Sequence, residues 1–204
     1  HLMDSDKEIT ITQPMLDAYG DAGHLVLDEK FTSEELLYPL LMESSNDAAE
    51  AYAQSFGYQD FMEEMNGFAK EIGLENTSFK DASGLNPRNT SNADDLFILS
   101  RYLYGHEKDI LKISKTVEYD IATTSDHGGH HFVNINPYAP YSSFVGGKTG
   151  RTDEAKESMI SLFKQEVSGT TYPIAIILLR SEFGQREIDT EKLLGKFVEV
   201  IQKR

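Results

Sequence analysis

The 204 residues carry 34 acidic against 19 basic side chains, a formal charge of −15, a balance that argues against a duplex nucleic-acid binder and disfavours electrostatic docking on an anionic bilayer. Cysteine is absent, which excludes disulfides, thiolate metal sites and a cysteine nucleophile. No apolar run approaches the roughly 18 residues of a membrane span, and 39% hydrophobic residues suit a soluble chain with a substantial core.

The chain opens on His1-Leu2-Met3-Asp4, more like a cut or a tag scar than a natural start, with no signal peptide before it. Thr32 and Glu35 form a capping box, and Leu36, Leu37, Leu40 and Leu41 follow at helical spacing. A second helix is predicted from Gln59, with Phe61, Met62, Met65, Phe68, Ala69 and Ile72 as its core stripe and Gly73 as its stop. A third runs from near Asn92 to Tyr104, with Ser91 or Asn92 as cap and Gly105 as stop. The period then changes. Thr116 to Ala122 alternates, Met159 to Phe163 is a short apolar run, and Ile174 to Leu179 reads as a strand buried on both faces. A last helix from Thr190 presents Leu193, Leu194, Phe197, Val198 and Ile201. Helices, then strands, then a helix predict an α+β fold, an antiparallel sheet with helices packed on it.

Two short motifs carry the chemistry. Ser44-Ser45-Asn46-Asp47-Ala48-Ala49 closes the first strong helix, and Gly146-Gly147-Lys148-Thr149-Gly150-Arg151-Thr152 precedes a strand. Alone, the first reads as a cap or turn. The second is not a phosphate loop, because Ser142 stands where that spacing requires glycine and an extended segment follows.

In this order the motifs resemble the Ser-x-Asn and Lys-Thr-Gly signatures of active-site serine penicillin-recognising enzymes. The pattern is most similar to the D-alanyl-D-alanine carboxypeptidase family. Leu36-Leu37, Met65-Asn66, Gly73-Leu74, Thr77, Phe79, Gly84-Leu85, Ser91, Ala93, Asp94, Leu96 and the pair Asn134 and Asn136 extend the likeness from about Ile9 onward. The resemblance implies a β-lactamase/transpeptidase-like fold within one partial domain, residues 1–204. Its helical part would cover about 30–115 and its sheet part about 116–204.

The resemblance also implies site roles. Ser44 would relay a proton to the leaving D-alanine amine, Asn46 would hold a substrate amide, and Lys148 would supply positive potential beside Ser44. Thr149 would bind the terminal carboxylate, and Gly150 would leave the strand bare for substrate. Arg151 would offer an oxyanion donor through its amide and, with Lys148, a carboxylate receptor that extends to Thr152. The implied partners are a peptidoglycan D-Ala-D-Ala stem peptide and β-lactams, with no cofactor and no nucleic acid, in an extracytoplasmic location.

The family's nucleophile lies in a Ser-x-x-Lys helix upstream of Ser-x-Asn. The one match here, Ser161-Leu162-Phe163-Lys164, follows Lys-Thr-Gly in a predicted strand. With 17 serines and 13 lysines in the chain, roughly one such match arises by chance. The expectation is therefore a chain cut before or within the nucleophile helix, inactive as it stands and pairing as a homodimer over the uncovered face. A catalytically silent peptide-binding module, or a related β-lactamase or endopeptidase, are the alternatives. Lys156 is expected near the cleft rim, and Ile135 where some relatives carry a polar residue. His127, His130 and His131 are expected in a flexible loop, and no functional metal site is assigned to them. Asp28-Glu29 and Glu34-Glu35 read as a solvated face and a helix N-terminus.

Overall fold

The computed structural model describes residues 7–203. Short strands β1 (Glu8–Thr10) and β2 (Lys30–Thr32) pair antiparallel and bracket a one-turn helix α1 (Gln13–Leu16). Thr32 then caps α2 (Ser33–Tyr38): its hydroxyl accepts from the Glu35 amide at 3.2 Å, and the Glu35 carboxylate accepts from the Thr32 amide at 2.8 Å. The expected apolar run to Leu41 does not remain one α-helix. Proline cannot donate to the helical ladder, and from Pro39 the chain winds into a π-helical turn, Pro39–Glu43.

The sequence reading missed α3 (Asn46–Ser55), which starts at once on a Ser45 cap accepting from the Ala48 amide at 3.2 Å. Asp47, Ala48, Ala49, Ala51, Tyr52 and Ala53 are all buried. A helix of small residues buried on most of its surface shows no amphipathic stripe, so periodicity did not reveal it. It packs with Ile9, Ile11, Met15, Leu25, Phe31 and Leu36 into one core. At about 25 cal/mol per Å² of apolar surface, such a cluster supplies most of this half's driving force.

Helix α4 (Tyr58–Glu71) lies between Gly57 and Gly73, both with positive φ. Of its predicted stripe, Met62 and Ala69 are buried and the rest half-buried. Of the two caps the sequence offers, Asn92 rather than Ser91 starts helix α5 (Ala93–His106), which runs through Gly105 to His106. Helix α6 (Lys108–Lys115) follows directly.

Strand β3 (Glu118–Ile121) falls inside the predicted alternation and pairs with β4 (His130–Val133). His130 and His131 therefore lie in a strand, while His127 stays in the loop before it. Strands β5 (Phe144–Thr152), β6 (Lys156–Val167) and β7 (Thr170–Ser181) form an antiparallel sheet in that order. Tyr138, Phe144, Met159, Phe163, Ile176 and Leu178 make its core.

The expectation for Ile174–Leu179 needs correction. Only Ile176 and Leu178, on one face of the strand, are buried and Leu179 is exposed, so a single face is enclosed; β7 also pairs with β6 alone among the described residues. That edge position also explains why Pro173 is tolerated. Helix α7 (Arg186–Gln202) starts four residues before the predicted Thr190, which lies buried within it. The whole is α+β, with helices packed beside antiparallel sheets. No helix among the described residues is long and apolar enough to cross a membrane.

Candidate active site

A cleft of about 640 Å³ opens between the π-helical turn, the start of α3, β5, the 82–85 loop and the first residue of α7. Ser44, Asn46, Lys148, Thr149, Gly150, Arg151 and Thr152, all singled out from sequence, line it together.

Ser44 terminates the π-helical turn in the left-handed region, φ 62° and ψ 41°. A non-glycine residue there costs roughly 1–2 kcal/mol, so neighbouring contacts must hold it. Glu43 supplies two: its carboxylate accepts from the Gly23 amide at 3.0 Å and the Val133 amide at 2.9 Å. On its other side, Met42 is fully buried against Ile121 and Phe132, and its carbonyl accepts from the Ile135 amide at 2.9 Å. Gly23 must be glycine, since a Cβ would meet the Ser45 side chain at 2.8 Å and Pro39 at 2.9 Å. The elbow is thus clamped from the 20–27 loop and from β4.

Two glycines set β5 against its neighbours. A Cβ on Gly147 would lie 2.2 Å from the Ile160 carbonyl oxygen, and one on Gly146 2.7–2.8 Å from the Ser114 hydroxyl and the Leu111 carbonyl. Gly150 faces open space. β5 is the outer strand of its sheet, so its other edge is free of β pairing among the described residues.

Lys148 reaches across the cleft. Its ammonium donates to Ser44 Oγ at 2.6 Å and to the Thr149 carbonyl at 2.7 Å. Desolvation, then the charge of Arg186, push its pKa down to about 8. The side chain keeps some solvent contact along its length, while the ammonium lies among protein walls, and it is the ammonium's surroundings that govern the shift. An amine so placed loses its proton around pH 8, well below an ordinary lysine, and can exchange protons with the serine hydroxyl.

Arg186 escaped the sequence reading. It opens α7, about 35 residues beyond the Lys-Thr-Gly motif, and no local pattern marks it. Its side chain is largely buried and pairs with Glu187 at 3.0 Å. Arg151 lies over the Phe183 ring, 4.8 Å from its centroid. The cleft walls therefore hold three cations, Lys148, Arg151 and Arg186, and no carboxylate, in a chain of charge −15.

Other expected residues land differently. The Asn46 side-chain amide donates to the Tyr19 carbonyl at 2.7 Å, so its nitrogen is engaged while the residue lines the cleft. Asn134 donates to the Ser114 and Thr116 carbonyls, and Asn136 accepts from the Tyr138 amide; both organise the turn that presents Ile135 to the cleft. Lys156 pairs with Glu182 at the β5–β6 turn and is not a wall of the cleft.

Ser161 is fully buried in β6, its hydroxyl without a partner, so Ser161-x-x-Lys164 offers no nucleophile to the cleft. His127 and His130 face Glu35 and Glu29, at 3.6 and 3.1 Å, while His131 pairs with Asp120 at 2.7 Å on the opposite strand face. The three do not converge. Among the described residues no group of three or more His, Asp or Glu side chains is placed to hold a metal ion.

Asp47, next to Asn46, was read only as part of a motif. It is 5% exposed, its Oδ1 has no hydrogen-bond partner, and burial and then Asp21 push its pKa up to about 6.

Comparison with known proteins gives a consistent picture. The family model described as peptidase S11, D-alanyl-D-alanine carboxypeptidase, matches residues 3–177. The D-alanyl-D-alanine carboxypeptidase DacF of Bacillus subtilis is 34% identical over 170 residues, 81% of this chain but 42% of its own length. The chain thus spans less than half of that relative. A mutant of the Streptomyces K15 DD-transpeptidase superposes with a TM-score of 0.81 at 29% identity, over 95% of this chain and 80% of that one. Penicillin-binding protein D2 of Listeria monocytogenes, in a cefotaxime-bound form, gives 0.74 at 27% identity, over 95% and 77%. The fold is that of the penicillin-binding DD-peptidases.

Proposed function

Because the chain belongs to the D-alanyl-D-alanine carboxypeptidase family, we propose that its cleft takes the D-Ala-D-Ala end of a peptidoglycan stem peptide for serine-type acyl transfer and is open to β-lactams. The observation that carries this reading is the 2.6 Å contact of Lys148 with Ser44 inside an all-cationic cleft. In it, Lys148 and Ser44 form the proton relay. The neutral amine takes the Ser44 proton as Ser44 accepts that of the attacking hydroxyl; the relay then reverses, the lysine ammonium returning its proton to Ser44 as Ser44 gives one to the departing D-alanine nitrogen, so the leaving group departs as an amine rather than an amide anion.

Arg151, Arg186, Thr149 and Thr152 form the carboxylate receptor. Guanidinium forks match a carboxylate's two oxygens, and an uncharged hydroxyl fixes its orientation. The substrate lies along the free edge of β5 as an added strand, with Gly150 leaving it room. Asn46 presents its side-chain oxygen to a substrate amide. No cofactor enters this scheme. Processing of the cell wall places the protein outside the cytoplasmic membrane.

A second reading, peptide capture without hydrolysis, is favoured by the burial of Ser161, which leaves no Ser-x-x-Lys serine at the cleft among the described residues. Intact-mass spectrometry with benzylpenicillin, on protein expressed from its gene's own start codon, separates the two. A stoichiometric adduct supports acyl transfer, and peptide mapping locates the serine. A folded protein that forms no adduct overturns it in favour of capture. The homodimer is tested by mass in solution: it would cover exposed Leu193 and Val200 on α7, and a monomeric mass with a cooperative melt refutes it.

A further inference from the structure

Away from the cleft, on the far side of α6, lies a groove of about 570 Å³ between α6, the end of α5 and β6. Lys108, Lys112 and Lys115 line it from α6, and Lys164 lines it from β6. The spacing of the first three, four and then three residues, sets them in one row along the helix. Their backbone positions climb by about 6 and then about 4.5 Å. All four are exposed, and none makes an ion pair or side-chain hydrogen bond among the described residues. Four unpaired ammonium groups around one groove stand out in a chain with 34 acidic residues. Leu111 and Val145 give the groove an apolar floor.

We propose that this groove is a docking site for a linear phosphodiester polyanion, its charges held by Lys108, Lys112, Lys115 and Lys164 and its carbon spacers lying on Leu111 and Val145. Three features select this occupant. First, the cations are all lysines. A compact ammonium acts as a point charge suited to a phosphate that can turn about its ester bonds, whereas planar carboxylates are matched by the arginine forks found in the cleft. Second, the charges run in a row and call for a ligand with repeated charge. Third, the site is a groove on an otherwise acidic protein. A single polymer strand can lie in it, while an anionic bilayer would also meet the surrounding carboxylates and be repelled. The site does not depend on the acyl-transfer reading. Helix α6 meets the cleft's walls through β5, whose Gly147 amide donates to Ser114 at 3.1 Å, and through Asn134, which donates to the Ser114 carbonyl at 2.9 Å.

The test is calorimetric titration of the full chain with a synthetic poly(glycerol phosphate) oligomer at several salt concentrations. Saturable binding is expected, with a log–log salt slope of about −3 for four neutralised charges. The K108Q/K112Q/K115Q/K164Q variant should lose at least tenfold in affinity. The K70Q/K192Q/K196Q/K203Q variant, with the same net charge, should bind as the parent does. Thermal melts check that both variants fold, and if the first does not, K112Q alone should reduce the slope by about 0.7. Absence of saturable binding overturns the proposal, as does equal loss in the two quadruple variants. So does poly-glutamate binding as tight as the phosphodiester, or tighter attachment to phosphatidylglycerol vesicles than to the oligomer.

Discussion

Asp47→Asn should stabilise the protein, and by an amount that depends on pH in a predictable way. The carboxyl sits at the second position of α3, 5% exposed, with Oδ1 unpartnered and Asp21 close enough to repel it. Its folded-state pKa is raised to about 6 from the ordinary 3.8. A raised carboxyl binds its proton more tightly when folded, so in this interval the native state holds more protons than the unfolded one. Stability attributable to this group is therefore fully present below about pH 4 and is lost as pH rises to about 6. The shift corresponds to about 2–3 kcal/mol at most, with the smaller figure favoured because the helix N-terminus offsets part of the cost of the charge.

Asparagine has nearly the same shape and never ionises. The assay is urea unfolding of parent and variant between pH 3.5 and pH 7.5, read as the difference in unfolding free energy, which cancels the many other carboxylates. That difference should climb by about 2 kcal/mol between pH 4 and pH 6 and then level off. A flat difference, or one that falls with pH, would refute the assignment of a strained, unpaired charge to Asp47.

Three further outcomes are expected. If Lys148 is the base, the rate of benzylpenicillin acylation should rise with pH through an apparent pKa near 8. Arg186→Gln should move that midpoint upward by a fraction of a unit by removing a like charge, and an unmoved midpoint excludes the coupling. Gly147→Ala should destabilise by about 3 kcal/mol or more because its Cβ has no room beside the Ile160 carbonyl. Gly150→Ala should leave the melting temperature within about a degree while weakening substrate capture, so equal melting losses for the two would contradict the packing of β5. Glu43→Ala should cost about 2–3 kcal/mol through its two charge-assisted bonds to backbone amides. It should also slow benzylpenicillin acylation by relaxing Ser44, whereas a stability loss with unchanged acylation would limit Glu43 to scaffolding.

Local chemistry was legible in the chain itself. The Thr32–Glu35 capping box, a cap at Ser91 or Asn92 and the stop of α4 at Gly73 were legible, because each depends on groups within a few residues of one another. The Ser-x-Asn and Lys-Thr-Gly motifs, with their order and the acidic balance of the chain, were enough to point to the family. The same reasoning failed where burial, rather than sequence period, defined an element. Alanine-rich α3 shows no stripe because it is enclosed, and the Ile174–Leu179 run reads as a strand buried on both faces although only Ile176 and Leu178 of it are buried.

What the fold alone decided is the encounter of distant groups. Ser44 and Lys148 are 104 residues apart and meet at 2.6 Å. That contact depends on the π-helical turn after Pro39, on Glu43 holding the elbow, and on Gly147 letting β5 close on β6. Arg186 joins them from α7, and Asp47 acquires its raised pKa only when helix packing shuts out water. Residue types and their order supply the chemical groups. Distances, desolvation and mutual charge exist only after the chain has folded, and these set the proton affinities on which the chemistry depends.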